Sequence, residues 1–263
     1  MNNQMADINL LEVKDLCKNY YYKNHEIKAI KDINLSVCNR EILGLAGESG
    51  SGKSTLARLI MNIEKPTSGN VYFEGKCISD KAIYRKNRNY ICKSMQLLFQ
   101  NSDAALNPRL KIGDIISEPL KIQKLYSNKS EINFKVEEVL DIVGLDRSFI
   151  DKYSFECSGG EKQRICISRA IITSPKFIIA DEPITSLDII SQLKITNLFK
   201  QIVDVLGVSI IFISHDLSML EKIADRIAII KSGSLVELNT SKEIFDNPKS
   251  EYTKELLSSI PCI

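Results

Sequence analysis

The chain has 263 residues, of which 44% are hydrophobic and 26% are charged. This balance is typical of a globular domain with a sizeable core and argues against a disordered chain. The chain has 35 Lys and Arg against 33 Asp and Glu, and the resulting net charge of +2 gives no reason to expect a nucleic-acid binder. The longest apolar runs have four residues, whereas a membrane-spanning helix needs about 20. The first residues, MNNQMADINLLEV, also lack the pattern of a signal peptide.

The cysteines and histidines indicate neither a disulfide framework nor a metal site. The seven cysteines are odd in number and contain no C-x-x-C pair, which favours reduced thiols over a disulfide framework. Two histidines, His25 and His215, are too few for a histidine-rich metal site. A metal bound only by protein side chains is therefore not expected.

The first hundred residues predict strands around one helix. Alternating apolar positions predict two early strands, and an apolar stretch then enters a glycine-rich loop. Apolar residues at helical spacing follow that loop, with Leu56, Leu59, Ile60 and Ile63 on one face. The predicted elements are strands near 11–16 and 33–37, a strand at 41–46, a helix at 53–63 and a strand at 70–73.

The middle of the chain, from about 101 to 156, predicts helices only. Its periodic apolar residues are Phe134, Val136, Val139, Leu140 and Val143. We interpret this segment as a helical subdomain inserted into an α/β core.

After residue 158 the α/β pattern returns. Short apolar runs at 177–180 and 209–213 are typical of buried parallel strands, and a predicted helix at 189–205 separates them. The segments 227–230 and 235–238, joined by Ser232-Gly233, predict a hairpin, and 241–257 predicts two short helices. The fold expected is α/β, with a mostly parallel sheet, an N-terminal antiparallel β-subdomain and the inserted helical subdomain.

Residues 47–54, with the sequence GESGSGKS, match the phosphate-binding pattern G-x-x-x-x-G-K-[ST] between a predicted strand and a predicted helix. Glycines allow backbone N–H groups to turn toward a phosphate, and the helix N-terminus adds positive potential. Lys53 is expected to reach the β- and γ-phosphates, and the Ser54 hydroxyl to bind Mg²⁺.

A second pattern is the apolar strand at 177–180 followed by Asp181 and Glu182. Both carboxylates are expected at the carboxyl edge of the sheet, where ligands bind in such folds. Asp181 would hold Mg²⁺, and Glu182 would orient and deprotonate the attacking water. Alone, the pattern also fits surface charges after a buried strand. Together with the phosphate loop it predicts a P-loop nucleotidase and leaves GTPase, small-molecule kinase, helicase and transport ATPase open.

Residues 157–164, CSGGEKQR, resemble the signature loop, typically Leu-Ser-Gly-Gly-Gln, of ATP-binding-cassette (ABC) ATPases. Other landmarks of that family follow the same order along the chain. Gln100 resembles the Q-loop glutamine, Ser186-Leu187-Asp188 the D-loop, and Ser214-His215-Asp216 the switch-histidine segment. Tyr20 resembles the aromatic residue that stacks on adenine, although Tyr21 or Tyr22 would serve equally well chemically. The resemblance covers roughly residues 8 to 260.

The resemblance implies a P-loop NTPase fold of the ABC ATPase type that binds ATP and Mg²⁺. It implies one ABC ATPase domain over 1–263, with the α/β core at about 1–100 and 158–240, the helical subdomain at about 101–157 and a helical tail at about 241–263. It also implies two ATPase subunits that meet head to tail with ATP between them. The residues implied to bind ATP are Tyr20, Gly47, Glu48, Ser49, Gly50, Ser51, Gly52, Lys53, Ser54, Thr55, Ser158, Gly159, Gly160, Glu161 and Asp188. The implied Mg²⁺ ligands are Ser54, Gln100 and Asp181, and the implied catalytic residues are Glu182, His215, Lys53 and Gln100.

Two positions depart from the family pattern. Glu161 stands where glutamine is usual, which removes an amide donor and adds negative charge near a γ-phosphate. Cys157 replaces a larger apolar residue and is expected to behave as a small hydrophobic side chain. The other motifs are intact, so a competent hydrolytic site is expected.

The segment 100–109, QNSDAALNPR, and the tail after Gly233 resemble ATPases of oligopeptide, dipeptide and nickel importers. The resemblance implies an ATP-hydrolysing importer subunit for peptides or nickel and metal chelates, bound peripherally at the cytoplasmic face of the membrane. The implied partners are two transmembrane permeases, a second ATPase and an extracytoplasmic solute-binding protein, without nucleic acid. Importers of this branch commonly carry two different ATPases, but the sequence leaves both a homodimer and a heterodimer of ATPases open. The alternatives are an exporter ATPase and a soluble cassette protein acting on ribosomes or DNA. The cargo is not encoded in this chain.

Overall fold

The computed structural model of the chain describes residues 9–23, 25–100, 102–185 and 187–259. The strands are β1 Asn9–Tyr22, β2 His25–Cys38, β3 Ile42–Ala46, β4 Ser68–Phe73, β5 Lys76–Cys77, β6 Met95–Leu98, β7 Phe177–Asp181, β8 Ser209–Ile213, β9 Arg226–Lys231 and β10 Ser234–Thr240. The helices are α1 Lys53–Ile60, α2 Lys81–Ser94, α3 Ser102–Ala105, α4 Ile112–Ile122, α5 Lys129–Val143, α6 Gly159–Ile171, α7 Ile189–Leu206, α8 Leu217–Ile223, α9 Ser241–Asp246 and α10 Glu251–Ser258. Two short 3₁₀ turns, Arg147–Asp151 and Ser154–Glu156, lie between α5 and α6.

The chain divides into two compact units. The first unit consists of Met1–Arg88 and Gly207–Ile263, and the second of Asn89–Leu206. Within the described ranges, no helix is both long enough and apolar enough to cross a membrane.

An antiparallel sheet in the order β2-β1-β4-β5 forms one layer of the first unit. Val13 pairs with Leu35, and Leu16 with Ile33, so the alternating apolar residues of the two predicted strands share one face. That face is buried, because Leu16 and Ile33 have no exposed surface. The predicted N-terminal β-subdomain is therefore present.

The other sheet of the first unit has the order β10-β9-β3-β8. β3 lies parallel to both β8 and β9, and β9 and β10 form the predicted antiparallel hairpin. All five residues of β3 and of β8 are buried, which explains why apolar residues follow one another in both strands instead of alternating with polar ones. The observed bounds of β8, Ser209–Ile213, are those predicted from the sequence.

Helix α1 ends at Ile60, three residues before the predicted end. Met61 still donates its N–H to the carbonyl of Ala57, but Asn62 adopts the left-handed conformation with φ 55° and turns the chain away. Ile63 is consequently 57% exposed. The prediction that Ile63 shares the buried face of this helix is wrong.

The second unit combines a parallel strand pair with helices. β6 and β7 pair with Leu97 opposite Ile179, and the segment between them contains the predicted helical subdomain. In α5, Val136, Val139, Leu140 and Val143 are buried, whereas Phe134 is 65% exposed. The buried positions follow helical spacing, and a residue two places before Val136 lies about 200° away around the helix. Phe134 therefore does not belong to the apolar face as predicted.

Two helices, α2 and α8, have no counterpart in the predicted elements. α2 buries only Ile91 and Ser94, so it carries too weak an apolar stripe to be recognised. In each helix, an aspartate carboxylate caps the N-terminus. Asp80 accepts from the N–H groups of Ala82 and Ile83, both at 2.8 Å, and Asp216 caps α8.

Candidate nucleotide-binding site

The phosphate loop of the first unit runs from the end of β3 to the start of α1, as predicted. Lys53 is the first residue of α1, and its side chain is buried. Its ammonium donates to the carbonyl oxygens of Gly47 at 2.7 Å and Glu48 at 2.9 Å. The loop therefore curls around the lysine that is expected to meet the phosphates.

Two glycines of this loop are required by close packing. A Cβ at Gly47 would lie 2.1 Å from the carbonyl oxygen of Ile230, and one at Gly52 would lie 2.8 Å from that of Ala29. Both glycines also have positive φ angles, 149° and 108°. Gly50 has φ 79°, but a Cβ there would lie more than 4 Å from the surrounding atoms. The outer side of the loop is thus tightly packed, while its tip at Gly50 is open.

Ser51 supplies the observation that points to a ligand. Its hydroxyl is buried and has no hydrogen-bond partner among the described residues. Leaving a buried hydroxyl unsatisfied costs about 1–3 kcal/mol, and a phosphate oxygen bound in the loop would remove that cost. Ser54 follows on the exposed first turn of α1, and Thr55 is half-buried beside it. The loop therefore fits a phosphate-bearing ligand.

Tyr20 lies on β1 and is half-buried. Its hydroxyl donates to the carboxylate of Glu64, and the ammonium of Lys18 lies 5.0 Å from its ring centroid. Burial raises the pKa of Tyr20, and the hydrogen bond to Glu64 raises it further. Tyr21, by contrast, is 73% exposed. The more firmly held of these two rings is the one predicted to stack on adenine.

His215 lies in the loop after β8. β3 and β8 are parallel with Leu45 opposite Ile213, so His215 and the phosphate loop leave the same edge of the sheet. The side chain of His215 is exposed, and the backbone around it is fixed because the Ser214 hydroxyl accepts from the N–H of Asp216 at 3.0 Å. This position agrees with the predicted role toward a phosphate.

Two of the predicted site residues meet in the second unit. Gln100 follows β6 and Glu182 follows β7, and the register Leu98 opposite Ala180 brings them to one edge. The Gln100 amide donates to Glu182 Oε2 at 3.0 Å, and the Thr185 hydroxyl donates to the same oxygen at 3.2 Å. Glu182 has φ 46°, which turns its carboxylate out of line with the strand that Asp181 ends. Thr185 was not predicted, and its spacing three residues after Glu182 is the only sequence signal for it.

The signature loop caps helix α6. The Ser158 hydroxyl oxygen accepts from the N–H of Glu161 at 3.4 Å, while Glu161 Oε2 accepts from the N–H and O–H of Ser158 at 2.7 and 2.8 Å. This is a reciprocal capping box. Hydrogen bonds from the Ser158 backbone, then from its side chain, lower the pKa of Glu161. The Glu161 side chain therefore folds back onto Ser158, the residue that the family resemblance predicts to contact a phosphate.

The predicted D-loop packs beside the signature loop. A Cβ at Gly159 would lie 3.4 Å from the Leu187 side chain, and one at Gly160 would lie 3.1 Å from the Ser191 hydroxyl. Asp188 accepts from the N–H of Ser191 at 3.0 Å, and hydrogen bonds from Ser191 lower the pKa of Asp188. Ser186, which the resemblance places in the D-loop, lies outside the described residues.

Cys157 is buried, as expected for a small apolar replacement. Its thiol contacts the carbonyl of Tyr153 at 3.6 Å, and burial raises its pKa. A protonated thiol is a poor nucleophile. The cysteine beside the signature serine therefore has a packing role.

Comparison with known proteins agrees with this arrangement. The profile of the ABC transporter family matches residues 30–185. The oligopeptide transport ATP-binding protein OppF of Bacillus subtilis (strain 168) is 43% identical over 252 residues, covering 96% of this chain and 82% of that protein. OppF of Streptococcus mutans is 41% identical with the same coverage.

Solved structures of ATP-binding cassettes also resemble this chain. The dimeric ATP-binding cassette MJ0796, in a post-hydrolysis state bound to ADP and Pi, superposes with a TM-score of 0.77 at 27% identity, covering 88% of this chain and 98% of that one. The protein cbiO1 from Clostridium perfringens, part of the ABC transporter complex cbiONQ, superposes with a TM-score of 0.79 at 27% identity and 96% coverage of both chains.

The fold and the phosphate loop define a P-loop ATPase of the cassette type. The chain belongs to the ABC transporter family. The resemblance drawn from the signature loop is thereby confirmed, as are the predicted fold class and ATPase activity.

Proposed function

We propose that the chain is the ATP-hydrolysing subunit of an ABC importer for oligopeptides. Identity of 43% over nearly the whole chain with a protein named for oligopeptide transport carries this proposal. A peptide import ATP-binding protein of Brucella ovis is also 36% identical over 98% of the chain. These relatives favour peptides over nickel or metal chelates as cargo, and an importer over an exporter or a ribosome-acting protein.

The residues of the first unit bind the nucleotide. Lys53 reaches the β- and γ-phosphates, and the unsatisfied Ser51 hydroxyl donates to a phosphate oxygen. The backbone N–H groups of the glycine-rich loop complete the cradle, and Tyr20 stacks on the adenine. His215 contacts the γ-phosphate. These roles follow from the family pattern together with the open tip of the loop at Gly50.

The residues of the second unit hydrolyse the nucleotide. Glu182 orients the attacking water and takes its proton, and the hydrogen bond from Gln100 holds the carboxylate in place. The family pattern implies three Mg²⁺ ligands, Ser54 from the first unit and Gln100 and Asp181 from the second, and each side chain carries an oxygen of the kind that Mg²⁺ prefers. The bound ion would neutralise charge on the phosphates. The signature residues Ser158, Gly159, Gly160 and Glu161, with Asp188, face the ATP of a second ATPase subunit.

The chain works with membrane partners in this proposal. Two permeases, a non-identical second ATPase and an extracytoplasmic solute-binding protein complete the importer, and the chain binds peripherally at the cytoplasmic face. The division into an α/β core, a helical subdomain and a helical tail stays a prediction.

The test is purification of the tagged chain from detergent-solubilised membranes of its native host, with the untagged strain as control. We expect a second cassette ATPase and two multi-span permeases to co-purify. Uptake of a labelled oligopeptide and of labelled nickel is then compared in a strain lacking the chain. Wild type, but not Glu182→Gln, should restore peptide uptake. Recovery of ribosomes or DNA, or restoration of nickel uptake alone, would contradict the proposal.

A further inference from the structure

The C-terminal segment of the first unit lies against the outer side of the phosphate loop. The N–H of Gly233, in the turn between β9 and β10, donates to the carbonyl of Ser51 at 2.8 Å. The carbonyl of Ile230 packs against Gly47. The hydroxyl of Tyr252, on α10, accepts from the N–H of Glu48 at 3.4 Å. Side chains and backbone from the last forty residues therefore support the loop.

Tyr252 is held firmly. It is 6% exposed, and the ammonium of Lys231 lies 4.0 Å from its ring centroid. Burial raises the pKa of Tyr252, the hydrogen bond from the Glu48 N–H partly offsets that effect, and the Glu48 carboxylate adds to it. The phenol is therefore neutral near pH 7, and its hydroxyl oxygen can accept a hydrogen bond from the loop.

A buried carboxylate anchors the helix that carries this tyrosine. Glu237 of β10 accepts from the N–H groups of Lys249 and Ser250, both at 3.0 Å, and from the hydroxyl of Thr253 at 2.6 Å. Burial alone would raise the pKa of Glu237, but these hydrogen bonds outweigh it and lower the pKa. The charged carboxylate thus fixes the N-terminal turn of α10, where the helix dipole also favours it.

One peptide group links this anchor to the phosphate-binding lysine. The N–H of Glu48 and the carbonyl of Gly47 belong to the same planar peptide unit. Its N–H donates to Tyr252, and its carbonyl oxygen accepts from the ammonium of Lys53 at 2.7 Å. Rotation of this peptide would therefore displace the lysine ammonium. The hydrogen bond to Tyr252 opposes that rotation.

We propose that Tyr252 is a positioning residue for ATP binding, which orients the Gly47–Glu48 peptide and through it Lys53, with Glu237 as the anchor of its helix. The proposal rests on the proposed role of the phosphate loop in binding ATP. It assigns to the C-terminal tail a role in nucleotide binding beyond packing on the core.

The test is Tyr252→Phe in the full-length protein, which keeps the ring and removes the hydroxyl. We expect the KM for ATP to rise about fivefold, the loss typical of one hydrogen bond, while kcat changes less than about twofold. Amide hydrogen exchange in the peptide containing Glu48 should accelerate, and the unfolding midpoint without nucleotide should fall by no more than about 2–4 °C, the effect of losing one hydrogen bond. Tyr72→Phe is the matched control, because Tyr72 on β4 also has a lysine over its ring, with Lys14 at 5.1 Å.

A second variant, Glu237→Gln, tests the anchor. It should raise the KM for ATP in the same direction, and the double variant should be no worse than the poorer single one, because both act through α10. If Tyr252→Phe leaves both the KM and the exchange of Glu48 unchanged while wild type binds ATP, the proposal is wrong. If wild type does not bind ATP, the proposed function fails and this proposal with it.

Discussion

Replacing Glu161 with glutamine should tighten the ATP-driven association of the ATPase subunits. Glu161 Oε2 lies 2.7 Å from the nitrogen and 2.8 Å from the hydroxyl oxygen of Ser158. The Ser158 hydroxyl has a single proton, so a phosphate oxygen that accepts from it would replace Glu161 as acceptor and would lie within about 5 Å of this carboxylate. Two unit charges at that distance repel by about 1 kcal/mol in water and about 3 kcal/mol at a protein surface. With screening by salt, removal of the charge should favour association by about 1–2 kcal/mol, or about 5- to 30-fold.

The same substitution should slightly destabilise the subunit without nucleotide. Glutamine still accepts a hydrogen bond from the N–H of Ser158, but it loses the favourable charge at the start of α6, worth about 0.3–1 kcal/mol. Stability and association are therefore expected to change in opposite directions. A general improvement in folding would not produce this pattern.

The assay is sedimentation of the Glu182→Gln subunit with its partner ATPase over a range of ATP concentrations, with and without Glu161→Gln. The matched control is Glu131→Gln, because Glu131 occupies the same third helical position in α5. The gain should shrink at about 1 M salt, where charges are screened beyond about 3 Å. An unchanged or weaker association, or an equal gain from the control, would refute the reasoning.

Three further predictions concern single residues. Glu182→Gln should bind ATP but lose at least about 100-fold in ATPase turnover, because the general base is gone; wild-type turnover in a steady-state assay would remove Glu182 from that role. Ser51→Ala should leave the unfolding midpoint of the nucleotide-free protein unchanged or slightly higher, because an unsatisfied buried hydroxyl is removed. The rise in that midpoint on adding ATP should become smaller. An undiminished rise would show that the hydroxyl does not contact the phosphates. Because the pKa of Glu237 is lowered below its usual 4.5 in the folded protein, its stabilising effect is complete above that value and is lost as pH falls through the folded pKa. Unfolding midpoints between about pH 5 and about pH 3 should therefore fall more steeply for wild type than for Glu237→Gln, and parallel curves would count against a charged Glu237.

The buried strands, the phosphate loop and the start of α6 were predictable because their patterns are local. β3 and β8 are buried at every position, so apolar residues occupy consecutive rather than alternating positions in both strands. The phosphate loop has a fixed spacing of glycine, lysine and serine. Ser158 starts a helix with Glu161 three residues later, a pattern that by itself predicts a capping box.

The contacts between distant residues were not predictable from these patterns. Gln100 and Glu182 are 82 positions apart, and their hydrogen bond depends on the register of β6 against β7. Tyr252 and Glu48 are 204 positions apart, and the tail gave no sign that one of its tyrosines meets the loop. Local spacing also failed at Ile63, where a left-handed Asn62 ends the helix, and at Phe134, where an aromatic residue faces solvent.

The position of β3 has a consequence for how the protein is made. This strand lies between β8 and β9, and the N–H of Ile42 is bound by Asp225, 183 residues later in the chain. The ribosome releases residues 42–54 long before it has produced these neighbours. A strand buried on both faces cannot take its place in the sheet until its partner strands have been synthesised, because such non-local pairings form late. The nascent chain therefore carries the residues of the phosphate loop from early in translation and gains a finished support for that loop only after β8 and β9 have emerged.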